Sequence, residues 1–489
     1  MLVDPIRQPE CRDRRLRVFL AALLIAGLAA CGWSQTLYPS SAQNPYYGSV
    51  TAQPRTNEIL KLSLDEAIRR GLENNLGLKQ AESAETVVRG QRNQVLQQFL
   101  PTITLTGDTG FYQHNLAALG FSQSELSHFA SRYPPGMMPK IPLVVKNSLT
   151  QGQVHYNQTL FSSTVISGYK AAGAAERAQH FAKMTARGEV VQRVANSYLF
   201  AISAASEVDN AKALVAQAQV LLDRAHASHV AGVVANIDEL RARVQLQSQQ
   251  QLLIFAQNRY QEDLILLKRE IGVDPGQDIA LTDPTPYNDL AEQTPEEVRA
   301  TAYKNRQDYQ NLQNLLVGYK AIHAAYRSQR FPSLQFNGYY GTNTVNGAGT
   351  HGVFLAMGTL SFPIFREAEL RGNIDVAQAE VDAANAELDD LRVHIDQQVR
   401  SALLDVAASK QLVEVSRSNV ELAAATLSDV TDRVDAGVDD NLPLVDAQTS
   451  LSTAEFTLIQ SLYRYNVSKL ALARSAGVLE QQYRDYLGK

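Results

Sequence analysis

Residues 331–341, FPSLQFNGYYG, interrupt a chain otherwise written in long runs of Ala, Gln, Glu, Arg and Leu. Leu334, Phe336, Gly338 and Tyr340 alternate here with Ser333, Gln335, Asn337 and Tyr339. A period of two belongs to a β-strand with two unlike faces. Pro332 disfavours helix at Phe331, so the strand starts where a helix has just been stopped. A single strand leaves its backbone N–H and C=O groups unpaired, so its partners must come from elsewhere.

A sister stretch lies earlier in the chain: LPTITLTGDTGFY, residues 100–112, with Ile103, Leu105 and Phe111 on one face and Thr102, Thr104, Thr106 and Asp108 on the other. An ungapped offset of 231 carries Ser63 onto Thr294, Glu66 onto Glu297, Pro101 onto Pro332, Gly107 onto Gly338 and Gly110 onto Gly341. Ser63-x-x-Glu66 and Thr294-x-x-Glu297 both read as capping boxes that start a helix. Each copy then has a second strand, QVHYNQTLF at 153–161 and VFLAMGTLSF at 353–362. The first hairpin is closed by a long, proline-rich connection at about 115–148, the second by the short NTVNGAGTHG at 343–352. The spacing thus predicts an internal tandem repeat with four strands.

After each second strand the period becomes helical. Residues 168–230 place Ala, Leu and Val at three- and four-residue spacing. Some sixty helical residues reach roughly 90 Å, which calls for coiled-coil packing. The arm ends at HVAGVVANIDELRARVQL (229–246) and returns to about residue 271; the second arm ends at RVDAGVDDNLPLVDAQTSL (433–451) and returns to about 475. These tips align at an offset of 205, Gly232 onto Gly437, Asn236 onto Asn441 and Leu246 onto Leu451. Gly232 and Gly437 suit the left-handed residue that ends a helix, and Val233 and Val438 can staple the turn. The expected organisation is a signal segment at 1–30, an extended arm at 31–60, repeat 1 at 61–275 and a linker at 276–293. Repeat 2 at 294–477 and a C-terminal tail at 478–489 complete it.

The N-terminus carries Arg12, Arg14, Arg15 and Arg17 before VFLAALLIAGLAAC, the basic-then-apolar layout of an export signal. Leu28-Ala29-Ala30-Cys31 resembles a bacterial lipobox, which makes Cys31 the expected first mature residue and lipid attachment point. Cys11 and Cys31 are the two cysteines, too few for a disulfide framework or a cysteine metal cluster. The net charge of −5 gives no footprint for nucleic acid. His155, His351 and His394 stand apart, and no Walker loop, nucleophile elbow or HExxH appears, so no metal, cofactor or enzyme activity is expected.

Strands of about ten residues are long enough to cross a bilayer when tilted, and membrane strands must close into a barrel. Four strands fall short of the eight or so that small barrels need, so membrane insertion implies several chains sharing one barrel. On the strands alone, a small soluble sheet capping a helical bundle satisfies the pattern equally well. In a membrane, Phe111, Tyr112, Tyr339 and Tyr340 are candidates for an aromatic girdle.

The order of these features resembles the TolC family of outer-membrane efflux channels over about residues 60–478. The likeness is carried by LSLDEAIRRGLENN (62–75), the LP and FP strand entries, LSFPIF (360–365) and the tip AGVDDNLPLVDAQTSL (436–451). It implies a mainly α fold with a pair of membrane β-hairpins, shared by a homotrimer as a twelve-stranded barrel above a long α-helical coiled-coil barrel. Such a duct sits in the bacterial outer membrane, anchored through Cys31 as in lipoprotein members. It docks on a periplasmic adaptor joined to an inner-membrane transporter and passively carries small molecules, ions or peptides. Asp238 and Asp446 match polar family positions at the periplasmic gate, and Arg241 is the repeat counterpart of Asp446. Val434 and Asp439 replace the tyrosine and arginine of the best-known latch, and Pro443 stands where an acidic residue is common. Gly232, Val233, Gly437 and Val438 are the expected tip turns and adaptor contacts. The alternative is a lipid-anchored periplasmic coiled-coil adaptor or structural protein, although adaptors carry one helical hairpin flanked by β-rich segments.

Overall fold

The computed structural model describes residues 41, 44–50, 54–134, 137, 142–232, 235–284, 287–345, 349–436 and 441–488. Strand β1 (Leu60–Leu62), helices α1 (Leu64–Asn74) and α2 (Leu76–Gln97) lead into β2 (Thr102–Asn115). A connection holding the short helix α3 (Gln123–Ala130) passes to β3 (Val144–Phe161), and α4 (Ser163–Val230) and α5 (Asn236–Ile271) form a helical hairpin. After β4 (Ile279–Leu281) come α6 (Pro295–Asn305), α7 (Gln307–Ser328), β5 (Ser333–Val345) and β6 (Gly349–Ser361). A second helical hairpin, α8 (Glu367–Asp435) and α9 (Asn441–Ser475), is followed by α10 (Leu479–Leu487).

Helices α4 and α8 run for 68 and 69 residues, roughly 100 Å at a rise of ~1.5 Å per residue. Buried alanines along α4, among them Ala171, Ala174, Ala178 and Ala186, let neighbouring helices approach closely. The main core lies beside the middle of α4. Val190, Val191, Val194 and Tyr198 pack there with Leu62, Leu64, Leu267, Ile271, Leu470 and Leu479. The parallel pair β1–β4 is sewn to this core: the Tyr198 hydroxyl lies 2.9 Å from both the Leu62 carbonyl and the Asp283 carboxylate.

The sequence reads as one helix from Ser63 toward Leu100, but the chain breaks it at Asn75, whose ψ of 131° is extended. The Asn75 carboxamide oxygen accepts from the N–H groups of Gly77 and Leu78, and its amide donates to the Tyr46 carbonyl. A buried asparagine thus caps α2 and ends α1 in one residue. Arg306 makes the corresponding break between α6 and α7, with its guanidinium held by Asp308 and Gln398.

Within the segment read as a C-terminal tail, Leu479–Leu487 form a helix that packs on the rest of the chain. Leu479, Tyr483, Tyr486 and Leu487 form one apolar stripe of α10 and enter the core. Tyr483 donates to Asp65, and Glu480 pairs with Arg187. The 31–60 arm is likewise packed where it is described: Tyr46 fills the space over Gly77, and the Arg193 guanidinium sits 3.7 Å above the Tyr47 ring.

The larger sheet has the order β2-β3-β5-β6, antiparallel throughout, and its strands of 14, 18, 13 and 13 residues exceed the ten or so expected. The two hairpins meet along β3 and β5. Among the described residues no strand covers the outer edge of β2 or of β6. No described helix is long and apolar enough to cross a membrane.

Gly477 follows α9 with φ at +75°, and a Cβ there would lie 2.7 Å from the Arg306 nitrogen and 2.8 Å from the Asn305 carbonyl carbon. Gly477→Ala is therefore expected to cost about 1–3 kcal/mol, read as a lower thermal midpoint. Glu270 is fully buried on α5, and burial outweighs the pull of Ser197 and Arg193, raising its pKa to about 7. The unfolded carboxyl titrates near ~4.3. Between these values the folded state binds more protons, so stability falls as pH rises through that window and levels off above it. Glu270→Gln should raise the thermal midpoint more at pH 8 than at pH 5; an equal effect at both would refute the assignment.

Candidate functional site

The sheet registers give the two faces unlike chemistry. Ile103 faces Tyr156, Leu105 faces Val154, Val154 faces Tyr340 and Tyr340 faces Phe354, which places these side chains together on one side. Leu105, Phe111, Tyr340, Phe354 and Leu360 on that side are exposed, Phe111 at 93%. The opposite side carries Thr104, Thr106, Asp108, Gln151, Gln153, His155, Asn337 and Asn343. There Gln153 donates to Asn343 and Gln151, and His155 lies 3.1 Å from the Thr106 hydroxyl. The four girdle candidates divide: Phe111 and Tyr340 belong to the apolar side, Tyr112 and Tyr339 to the polar side. Neighbours along a strand point opposite ways, so no two adjacent residues share a face.

At the far ends of the helices, Gly232 has the left-handed φ of +72° that closes α4. Val233, Gly437, Val438 and Asp439 lie outside the described residues, as does Cys31. Asp238, in the first turn of α5, pairs with Arg241 at 3.4 Å and is 15% exposed in its side chain. Asp446 on α9 is exposed and has no side-chain partner among the described residues, so Arg241 and Asp446 are not joined within one chain. The two hairpins are joined instead by apolar packing. Leu444 of α9 inserts against Leu221, Ala225 and Ala242 of the first hairpin, with Leu427, Val430 and Val434 around them.

Sequence reasoning missed Glu239. It is buried beside Asp238, with Arg243 at 2.9 Å and the His226 ring nitrogen at 3.3 Å. Its place in the first turn of α5, where a carboxylate complements the helix dipole, was the available signal. Further up, Glu207 accepts from Gln460 and pairs with Arg259, and burial raises the neighbouring Asp263 to about 6. Two serine pairs, Ser409–Ser468 and Ser416–Ser461, link α8 to α9 at 2.8 and 3.0 Å. Among the described residues no group of His, Cys, Asp or Glu is arranged to hold a metal.

The chain matches the model of the outer membrane efflux protein family over residues 67–273 and 298–478. It belongs to that family. Outer membrane protein TolC of Escherichia coli K12 is 28% identical over 269 residues, 53% of this chain and 50% of that protein. The toluene efflux pump outer membrane protein TtgF of Pseudomonas putida is 23% identical, over 64% of each chain. The chain thus spans between half and just under two thirds of these relatives' length. Among solved structures, the outer membrane protein VceC from Vibrio cholerae superposes with a TM-score of 0.69 at 16% identity, over 85% of this chain and 96% of that one. Members of the outer membrane efflux protein family are channel proteins rather than enzymes, and the relatives' location supports an outer-membrane setting for this chain.

At the tips, Leu444 is the buried residue through which α9 reaches the first hairpin. Leu444→Ala should cost about 2–5 kcal/mol locally. Faster hydrogen exchange confined to the ends of α4, α5, α8 and α9 is the expected result, with the core beside Tyr198 unchanged.

Proposed function

We propose that three copies of this chain form an outer-membrane duct, the exit passage of a tripartite efflux or type I secretion system. The observation that carries this reading is the four-stranded sheet with one mainly apolar face, one mainly polar face and, among the described residues, two open edges. In lipid every backbone group must be paired, and four strands cannot close on themselves. Three copies supply twelve strands, with the apolar side toward lipid and the Thr-, Gln- and Asn-rich side toward water. The helical hairpins extend the passage into the periplasm, where their tips meet a periplasmic adaptor and an inner-membrane transporter. Lipidation at Cys31 adds an anchor. Family membership and the efflux role in the relatives' names support the same reading. The cargo is small molecules, ions or peptides that pass without chemical change.

At the periplasmic end, Arg241 of one hairpin and Asp446 of its neighbour close the passage across subunits, beside the Asp238 carboxylate. Gly232, Val233, Gly437 and Val438 shape the tips that the adaptor grips. The exposed position of Asp446 and the shared offset of the two tips support this pairing.

The test is the full-length protein purified in detergent and inserted into planar bilayers. A trimeric mass with small, mostly closed conductance is expected, and Asp446→Ala should raise the conductance several-fold. A monomer without conductance refutes the duct; unaltered conductance and drug sensitivity in Asp446→Ala refutes the gate.

A further inference from the structure

The chain contains a template for its own open edges, namely the seam at which its two hairpins meet. Resting on the trimeric reading above, we infer that β6 of one subunit pairs antiparallel with β2 of the next in the register of the β3–β5 seam. Thr359 then lies opposite Asp108 and Met357 opposite Gly110, and residues 362–365 are drawn into the ladder.

Two offsets fix the register. Strand β2 maps onto β5 at 231, which superimposes Gly107 on Gly338 and Gly110 on Gly341. Within the hairpins Thr106 faces Gln153, and its counterpart Asn337 faces Met357, so β3 maps onto β6 at 204. The same 204 carries the first residue of α4, Ser163, onto the first residue of α8, Glu367. In the seam His155 faces Tyr339, Gln153 faces Gly341 and Thr159 faces Gln335. Shifting both sides by their offsets gives Thr359 opposite Asp108, Met357 opposite Gly110 and Pro363 opposite Thr104.

The chemistry agrees at four points. First, this register continues the apolar face of β6, with Phe354 and Leu360, into that of β2, with Ile103 and Leu105. A slip by one residue would set apolar against polar along the whole seam. Second, a Cβ on Gly341 would meet the Gly152 carbonyl and lie 2.9 Å from the Gln153 Cγ, so the seam requires glycine there. Strand β2 keeps glycine at the counterpart Gly110, where the nearest atoms belong to the ring of Tyr112 on its own strand. Third, the seam bulges between Thr159 and Phe161, and the counterpart of Thr159 is Pro363. Proline has no N–H to give a ladder and is tolerated at bulges. Fourth, Leu160 and Phe161 at the end of β3 correspond to Ile364 and Phe365, which are 91% and 89% exposed in the single chain. A neighbouring β2 beginning at Thr102 puts its Ile103 against Phe365, as Leu334 meets Phe161 here.

Cysteine pairs in the full-length protein, oxidised in isolated outer membranes, test the register. Asp108→Cys with Thr359→Cys should give disulfide-linked dimers and trimers about tenfold faster than Asp108→Cys with Met357→Cys or with Ser361→Cys, because a two-residue slip carries the Cα atoms beyond disulfide reach. Thr106→Cys with Ser361→Cys repeats the test one step along the ladder and should behave like the first pair. Single-cysteine proteins supply the background for Cys31. Faster linkage of a slipped pair, or equal linkage of all pairs, in a protein whose native mass is trimeric overturns the register and leaves the trimer standing. A monomeric native mass for the unmodified protein overturns the trimer itself.

Discussion

Backbone hydrogen bonding at the two outer sheet edges governs the rest of this molecule. Among the described residues, the strand order β2-β3-β5-β6 leaves one side of β2 and one side of β6 without a partner strand. In water such edges are solvated, at the risk of aggregation. In hydrocarbon each unpaired group costs several kcal/mol, and strands of 13 to 18 residues would place many of them there. The exposed apolar side of the sheet makes water an equally poor setting, since Leu105, Phe111, Phe354 and Leu360 form more than scattered surface residues. Membership of the outer membrane efflux protein family favours the membrane side of this conflict.

The helical part divides its stabilisation unevenly. Large apolar side chains gather beside the middle of α4, where α1, α5, α9 and α10 converge, and again in the small cluster around Leu444. Between these two points the long helices touch through alanines, single buried residues such as Val208, Leu214, Leu246, Val413 and Leu451, serine pairs and the Glu207–Gln460 contact. Alanine interfaces allow close approach but bury little area per residue, about 25 cal/mol for each Å² removed from water.

Much of this was legible in the sequence because it is periodic. The alternation along 100–112 and 331–341 sorts the same residues into the faces that the sheet displays, and the φ of Gly232 is the left-handed one that suits the end of a helix. What escaped notice depends on tertiary partners. Asn75 breaks a helix because its amide reaches Tyr46, a residue in an arm with no period to read. Helix α10 is nine residues long, too short for its stripe to stand out, and it gains its place from Asp65 and Arg187 far away in sequence. Glu239 looked like any first-turn acid until His226 and Arg243 closed over it. Tyr112 and Tyr339 were grouped with their neighbours by type, whereas the strand period separates them.

At the tips the proposed gate would rest on weak charge pairs beside a strong apolar join. Leu444 is buried among Leu221, Ala225 and Ala242, and truncating such a leucine costs several kcal/mol because a cavity remains. The Asp238–Arg241 pair lies half in solvent, where an ion pair contributes about 0–1 kcal/mol. Apolar packing therefore keeps the two hairpins together within a subunit. Exchanging Arg241 from Asp238 to another carboxylate costs little by comparison, since one exposed pair replaces another. A closure built from such charges is reversible by small forces, whereas one built from the Leu444 cluster would have to unfold the tip in order to open.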